Sequence, residues 1–182
     1  LAGLNRHDSG EKILKTNVQL SETLAKCLIK NMYKGSLIFS SSLQEYNDTP
    51  YGKSKKQAAK FLAETAKTSG FSFVQFIIPN IFGPFGKPNY NSFITTFSHQ
   101  LIKGERPEII NDDIVPLIYV EDLVPQIFRA TELKGIHRIE ILSKTKRKVS
   151  KILTQLKEFQ KTYIENGTIP KLKTLFIEWF SE

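Results

Sequence analysis

The chain has 182 residues, of which 40% are hydrophobic, and its formal net charge at pH 7 is +8. This length suits a single core. No apolar run approaches the roughly 18 residues that cross a bilayer, so we expect a cytoplasmic protein with no membrane partner. The one cysteine, Cys27, excludes an internal disulfide. A single cysteine also makes a multi-cysteine metal site unexpected, and because Cys27 lies among Leu24, Leu28 and Met32 at helical spacing, we expect it to be a buried packing residue.

The positive charge is concentrated near the C-terminal end, where residues 144–182 carry nine Lys/Arg and four Glu. Within this part, KTKRK at residues 144–148 predicts a solvated turn before a helix. No aromatic-rich nucleic-acid motif accompanies it. We therefore do not expect nucleic acid as a partner.

Hydrophobic periodicity predicts alternating helices and strands over the first part of the chain. These elements are a helix over residues 10–32 capped by Ser9, a strand over 35–41, a helix that begins near Pro50 and stops at Gly70, and a strand over 71–79. Alternation of this kind is typical of an α/β fold with a parallel sheet. Such sheets bind ligands at the carboxyl ends of their strands.

The segment PNIFGPFGKPNYNS, residues 79–92, is long and rich in Pro, Gly and Asn, which indicates a binding loop. The elements expected after it are a helix over 92–103, an extended pair at 108–110 and 114–119, a helix opened by VEDL, a strand over 139–142, a helix over 149–166, and a short helix after Pro170. Pro125 fits the VEDL helix only if it lies in the first turn.

The stretch SSSLQEYNDTPYGKSK, residues 40–55, combines a strand end with the start of a helix. Tyr51 and Lys55 are one helical turn apart and therefore share a face. A lysine ammonium beside a phenol favours the phenolate, so we expect the pKa of Tyr51 to be lowered toward the working pH. Ser42 could donate a hydrogen bond to a carbonyl oxygen that the tyrosine protonates. The pattern predicts a carbonyl-reducing site.

IFSSS followed by PYGKSK resembles the active-site signature of the extended short-chain dehydrogenase/reductases, the NAD-dependent epimerase/dehydratase family. Further landmarks stand in the family's order: LAG at residues 1–3, Asn17, PNIFGP at 79–84 and IYVEDL at 118–123. Within the family, LAGLNR, KPNYNSFITTF and the short step from Ser42 to Tyr51 are similar to bacterial capsular-polysaccharide reductases.

The resemblance implies an NAD(P)H-dependent reductase of a UDP-linked 4-keto-6-deoxy amino sugar in capsular or surface polysaccharide biosynthesis, with a Rossmann-like fold. It implies Tyr51 as the acid, Lys55 as its electrostatic partner and ribose ligand, and Ser42 as the residue that orients the carbonyl. The implied cofactor-binding residues are Ala2, Gly3, Tyr51, Lys55, Pro79, Asn80 and Ile81. The implied substrate-binding residues are Asn80, Asn89, Tyr90 and Asn91.

Family members begin with a strand and a Gly-x-x-Gly-x-x-Gly turn that holds the cofactor pyrophosphate, and this sequence contains no such turn. We therefore expect a partial NAD(P)-binding domain without its first βαβ half, about 60 to 70 residues, and without the cupin domain of the capsular reductases. Its core would span residues 1–143 and a basic, mostly helical part residues 144–182. Alone, it should bind NADP(H) or NAD(H) weakly.

Three alternatives stay open at this point. The chain could act as an epimerase or dehydratase of the same family, although Leu43 and Gln44 stand where a dehydratase would have an acidic pair. It could be a non-catalytic binding protein that uses its basic tail. It could also assemble as a homodimer.

Overall fold

The computed structural model describes residues 3–5, 7–143 and 145–169, which form two compact units. The elements in chain order are α1 (Gly10–Lys30), β1 (Ser36–Ser42), α2 (Pro50–Ser69), β2 (Ser72–Ile78), β3 (Asn80–Phe82), α3 (Phe93–Ile102), β4 (Ile114–Tyr119), α4 (Val120–Ala130), β5 (Ile136–Glu140), β6 (Thr145–Lys148) and α5 (Val149–Phe159). A short 3-10 turn, Leu43–Tyr46, follows β1, and a π-helical turn, Gln160–Glu165, follows α5.

The first unit comprises the described residues up to Pro79 together with Val124–Ile141. Its sheet is parallel, with the strand order β1-β2-β5. The central strand, β2, is buried along its whole length, which fits the apolar and aromatic residues on both sides of Gln75. The prediction of an α/β fold with a parallel sheet and flanking helices is confirmed.

Helices α1 and α2 pack together and contribute to one apolar cluster with the sheet. Its buried members are Ala25, Ala59, Leu62, Ala66, Phe71 and Phe73. Alanines at three of these positions let the two helices approach closely, while Phe73 of β2 fills the space beneath them. This packing fixes α2 relative to β1, the two elements that carry the predicted catalytic residues.

The ends of both long helices follow their predicted signals. The Ser9 hydroxyl accepts a hydrogen bond from the backbone N–H of Lys12 at 3.3 Å and caps α1. Pro50 is the first residue of α2. Gly70 ends that helix with φ of 73°, a left-handed conformation that glycine adopts without strain.

The second unit comprises Asn80–Leu123 and the described residues from Leu142 onward. In its sheet β3 and β4 run parallel, and β6 pairs with β4 in the antiparallel direction. Helices α3 and α5 meet through a small apolar cluster that consists of Phe97, Leu101, Val149 and Leu153.

The basic segment before α5 differs from its prediction. The expected solvated turn at 144–148 is wrong, because Thr145–Lys148 forms strand β6, with Lys148 opposite Ile114 and Lys146 opposite Pro116. Pairing with β4 gives the backbone N–H and C=O groups of this segment hydrogen-bond partners, while the side chains of Lys146 and Lys148 stay exposed to water. Lys144 lies outside the described residues.

Two residue-level predictions about helices are also wrong. Pro125 is the sixth residue of α4, beyond its first turn, so the carbonyl of Glu121 has no N–H donor four residues ahead. Cys27 is exposed. The buried stripe of α1 runs through Ser21 and Ala25, and Cys27 stands two residues, about 200°, around the helix from Ala25.

Other boundaries shift by a few residues. The expected extended segment at 108–110 is not a strand, the strand expected at 139–142 is β5 at Ile136–Glu140, and the helix expected over 149–166 is α5 and its π-helical turn. The predicted binding loop begins with strand β3. The helix expected after Pro170 lies outside the described residues. Within residues 3–5, 7–143 and 145–169, no helix has the length and apolar character needed to span a membrane.

Candidate active site

The predicted catalytic residues lie in the first unit, where the carboxyl end of β1 meets the beginning of α2. Ser42 is the last residue of β1, and Tyr51 is the second residue of α2. Gly52 makes this approach close, because a Cβ added there would lie 2.1 Å from the carbonyl oxygen of Gln44. The glycine in Pro-Tyr-Gly therefore lets the first turn of α2 rest directly on the turn that follows Ser42.

Lys55 reaches from α2 to the end of β1. Its Nζ donates a hydrogen bond to the backbone carbonyl oxygen of Ser40 at 2.9 Å. The same nitrogen lies 5.0 Å from the centre of the Phe39 ring and 5.7 Å from the centre of the Tyr51 ring. Burial lowers the pKa of Lys55, and the negative charge of Glu45 acts in the opposite direction.

Tyr51 is half-buried, and burial raises the pKa of its phenol above 10.0. The prediction that Lys55 lowers this pKa is therefore wrong. The Lys55 ammonium faces the Tyr51 ring and is hydrogen-bonded to Ser40, so desolvation of the phenol is the dominant effect. At neutral pH Tyr51 consequently holds a proton that it can donate.

Ser42 is half-buried and begins the turn after β1. Its hydroxyl oxygen accepts a hydrogen bond from the backbone N–H of Gln44 at 3.2 Å. A hydroxyl that accepts in this way keeps its own O–H as a donor. Ser42 can therefore donate to an oxygen placed beyond the end of β1.

A buried amide supports the first turn of α2 from behind. Asn17 Oδ1 accepts from the N–H of Leu4 at 2.7 Å, and Asn17 Nδ2 donates to the Leu4 carbonyl at 2.8 Å and to Ser54 Oγ at 3.0 Å. Ser54 Oγ in turn donates to the Tyr51 carbonyl at 2.7 Å. These bonds link the segment after Gly3 to the backbone of Tyr51. Sequence reasoning noted Asn17 only as a landmark and missed Ser54.

A cleft runs beside β1, which is an edge strand of the described sheet, and is lined by α1, β1 and α2. Its apolar lining includes Leu20, Leu24, Leu37, Phe39, Ala58 and Leu62. Its polar lining includes Asn17, Ser40, Ser54 and Lys55, and Gly3 also contributes to it. An apolar cleft with a few polar groups at one end is typical of a small-molecule site. Among the described residues, no cluster of three His, Cys, Asp or Glu could hold a metal ion.

A buried carboxylate lies directly behind this site. The side chain of Glu45 accepts hydrogen bonds from Ser41 Oγ and from Gln75 Nε2, the latter at 2.7 and 2.9 Å to its two oxygens. An Arg138 guanidinium nitrogen lies 3.9 Å from Glu45 Oε2. Sequence reasoning missed this network, because its members are distant in sequence and Glu45 stands in a polar stretch that indicates a surface turn.

The remaining predicted residues divide between the two units. Gly3 lines the cleft of the first unit, and Pro79 is the last residue of that unit before the chain enters the second. Asn80, Ile81, Asn89, Tyr90 and Asn91 belong to the second unit. Ala2, predicted to bind cofactor, lies outside the described residues.

Two asparagines of the second unit make local contacts. Asn80 Nδ2 donates to the Pro116 carbonyl at 3.3 Å. Asn89 has a positive φ of 55°, and its backbone N–H donates to Thr96 Oγ1 at 2.9 Å. These bonds give the loop a defined shape and do not by themselves identify a ligand.

Comparison with known proteins gives consistent matches over most of the chain. The model of the NAD dependent epimerase/dehydratase family matches residues 3–140. UDP-2-acetamido-2,6-beta-L-arabino-hexul-4-ose reductase from Pseudomonas aeruginosa is 29% identical over 163 residues, which make up 88% of this chain and 44% of that protein.

Solved structures also match most of the chain. Capsular polysaccharide assembling protein CapF from Staphylococcus aureus is 31% identical with a TM-score of 0.73, over 88% of this chain and 45% of that one. UDP-glucose 4-epimerase from Thermotoga maritima, with UDP-glucose, is 21% identical with a TM-score of 0.78, over 87% of this chain and 59% of that one, and shares the fold. The chain spans less than half the length of the reductase and of CapF.

Proposed function

Because the chain belongs to the NAD dependent epimerase/dehydratase family, we propose that it carries the proton-transfer part of a reductase for a UDP-linked 4-keto-6-deoxy amino sugar. The observation that carries this proposal is that β1 ends at Ser42, that Tyr51 and Lys55 lie in the first two turns of α2, and that the Lys55 ammonium bonds the Ser40 carbonyl. The relative from Pseudomonas aeruginosa is named as a reductase of a UDP-linked hexul-4-ose. That name supports reduction over epimerisation.

In the proposed reaction the keto oxygen of the sugar lies between Ser42 and Tyr51. The Tyr51 phenol gives its proton to this oxygen, so that the carbonyl becomes a secondary alcohol, and Ser42 donates a hydrogen bond to the oxygen while negative charge develops on it. The Lys55 ammonium then stabilises the Tyr51 phenolate, which takes a proton back from solvent. A phenol kept neutral by burial suits this acid role.

NADPH or NADH, when bound, supplies the hydride for the carbonyl carbon and leaves as NADP⁺ or NAD⁺. The polar end of the cleft fits such a group, because Lys55 uses one of its three N–H donors on Ser40 and can direct the others to ribose hydroxyls. We propose that Gly3, Tyr51, Lys55 and Pro79 of the first unit bind the cofactor. The family motifs add Ala2, Asn80 and Ile81 to this proposed set. Since the sequence contains no Gly-x-x-Gly-x-x-Gly turn, binding by this chain alone should be weak.

The sugar nucleotide is proposed to contact Asn80, Asn89, Tyr90 and Asn91. Asn89 holds a left-handed conformation in a hydrogen-bonded loop, and the side chain of the next residue, Tyr90, is about half exposed. An exposed aromatic ring beside amide groups offers a stacking surface together with hydrogen-bond partners. This assignment depends on the family resemblance of the KPNYNS segment.

The proposal is tested by incubating the 182-residue chain with a UDP-linked 4-keto-6-deoxy amino sugar and a large excess of NADPH, which offsets weak cofactor binding, and by measuring the mass of the product by mass spectrometry. Reduction adds two hydrogens to the sugar, whereas epimerisation leaves its mass unchanged. We expect the heavier product. In Tyr51→Phe the rate of its formation should fall by a factor of about 10² to 10⁴. Tyr33→Phe is the matched control, because its hydroxyl donates to the Ser36 carbonyl at the opposite end of β1. Equal product from Tyr51→Phe and the unchanged chain would contradict the assignment.

A further inference from the structure

Glu45 is a buried acid in a short, otherwise polar turn. Its side chain is 4% exposed. The carboxylate accepts from the hydroxyl of Ser41 on β1 and from the amide of Gln75 on β2. It therefore joins two neighbouring strands of the sheet, close behind the residues proposed to transfer the proton.

The neutral donors around Glu45 satisfy its hydrogen-bonding capacity but do not balance its charge. Arg138 is 3.9 Å away, its side chain is 53% exposed, and it also donates to the Tyr46 hydroxyl at 3.2 Å, so it is shared with the surface. Removing a carboxylate from water is costly unless a cation lies nearby. A second cation is thus expected to contribute to the balance.

Lys55 is a cation that reaches the same strand end as Glu45. Its Nζ donates a hydrogen bond to the carbonyl of Ser40. The Glu45 carboxylate accepts a hydrogen bond from the hydroxyl of Ser41, the next residue of the same strand. The groups that face the Lys55 ammonium are the Ser40 carbonyl and the Phe39 ring on β1, the Tyr51 ring on α2, and the charge of Glu45. The Glu45 charge raises the pKa of Lys55, against the lowering caused by burial.

We propose that Glu45 is a positioning residue of the proton-transfer site, which fixes the carboxyl end of β1 through Ser41 and supplies a negative charge that favours the ammonium form of Lys55. This inference rests on the proposed function, in which Lys55 stabilises the Tyr51 phenolate. It assigns Glu45 no contact with substrate. The residue acts through Lys55, so its effect is measurable on Lys55 directly.

The test is an NMR titration of the Cε–Hε resonance of Lys55 in the 182-residue chain, from about pH 6 to about pH 12, with the resonance assigned by its loss in Lys55→Arg. Glu45→Gln keeps the size and hydrogen-bonding capacity of the side chain but removes its charge. We expect the apparent pKa of Lys55 to fall by about one unit in this variant. Asp48→Asn is the matched control, because Asp48 is an exposed acid of the same segment, paired with Lys53 at 2.7 Å. It should leave the Lys55 titration unchanged, and an unchanged titration in Glu45→Gln would overturn the proposal.

A second measurement covers the case in which Glu45→Gln does not fold. In that case Glu45→Asp, which keeps the charge, is compared with Glu45→Asn, which removes it at nearly the same size, and the apparent pKa of Lys55 should be lower in Glu45→Asn. Equal pKa values of Lys55 in these two variants would also overturn the proposal. Neither titration needs cofactor or substrate, so a chain that reduces no keto sugar still gives a clear answer about Glu45. Failure of the proposed function is thereby distinguished from failure of this inference.

Discussion

Lys55 on α2 and Ser40 on β1 are joined by a hydrogen bond of 2.9 Å from the lysine ammonium to the serine carbonyl oxygen. This bond joins α2 to β1, the two elements that form the candidate site, and directs the ammonium toward the carboxyl end of β1. It also explains why the charge lies over the face of the Tyr51 ring, with its centre 5.7 Å away. The lysine is thus positioned by β1 as much as by its own helix.

Lys55→Met should reduce both stability and activity. It leaves the Ser40 carbonyl without this donor and removes a positive charge near the buried Glu45, so we expect a loss of about 1 to 3 kcal/mol in the free energy of unfolding. Sugar reduction by the folded protein should fall about 10²-fold, because the phenolate loses its cation. Urea unfolding and product formation check the two effects. Lys56→Met, at an exposed position, is the control and should alter neither. A Lys55→Met variant that keeps full activity would remove Lys55 from the mechanism.

The raised pKa of Tyr51 predicts a loss of stability at alkaline pH. The unfolded chain releases the phenolic proton near pH 10.0, whereas the folded chain retains it to higher pH. The stabilising contribution is therefore fully present below about pH 10 and is lost as pH rises through the folded pKa. Tyr51→Phe has no proton to release at this position. The unfolding free energy of the unchanged chain should thus fall relative to that of Tyr51→Phe as the pH rises above about 10, and parallel curves would refute the predicted direction.

Gly52→Ala should destabilise the first turn of α2. The added Cβ would lie 2.1 Å from the Gln44 carbonyl oxygen and 2.8 Å from that of Asn47, and backbone atoms cannot move aside as a flexible side chain can. We expect a loss of about 3 kcal/mol in the free energy of unfolding. Denaturant unfolding measures it, with Lys56→Ala as the control in the same helix. A loss as small as that of Lys56→Ala would show that α2 does not pack so closely on the preceding turn.

Asn17→Ala should cost far more than a similar change at the C-terminal end of the same helix. Asn17 is buried and bonds both backbone groups of Leu4 and the hydroxyl of Ser54. Its removal takes away the side-chain partner of both Leu4 backbone groups and one of the bonds of Ser54, which predicts a loss of about 2 to 3 kcal/mol. Asn31 is exposed, and its side chain donates to the Cys27 carbonyl at 2.8 Å, so Asn31→Ala should cost less than about 0.5 kcal/mol. Thermal or urea unfolding of the two variants compares them directly.

Local signals in the sequence were sufficient for the elements that frame the site. Ser9, Pro50 and Gly70 each act within one turn of their own position, and each was placed correctly. The buried strand β2 was recognisable because its aromatic and β-branched residues, although interrupted by Gln75, fit a strand covered on both faces. The KTKRK segment was misjudged because its strand depends on β4, a partner about 30 residues earlier in the chain.

The sequence by itself determined the alternation of helices and strands up to Pro79, the family, and the placement of Ser42, Tyr51 and Lys55 where a parallel strand ends and the next helix begins. These features depend on residue type and short spacing, which can be read without knowing what lies opposite. Only the tertiary structure decided that burial raises the pKa of Tyr51, that Cys27 faces outward, and that the Glu45 carboxylate is buried against Ser41 and Gln75. Desolvation and charge balance are set by atoms from distant parts of the chain, so no local pattern reveals them.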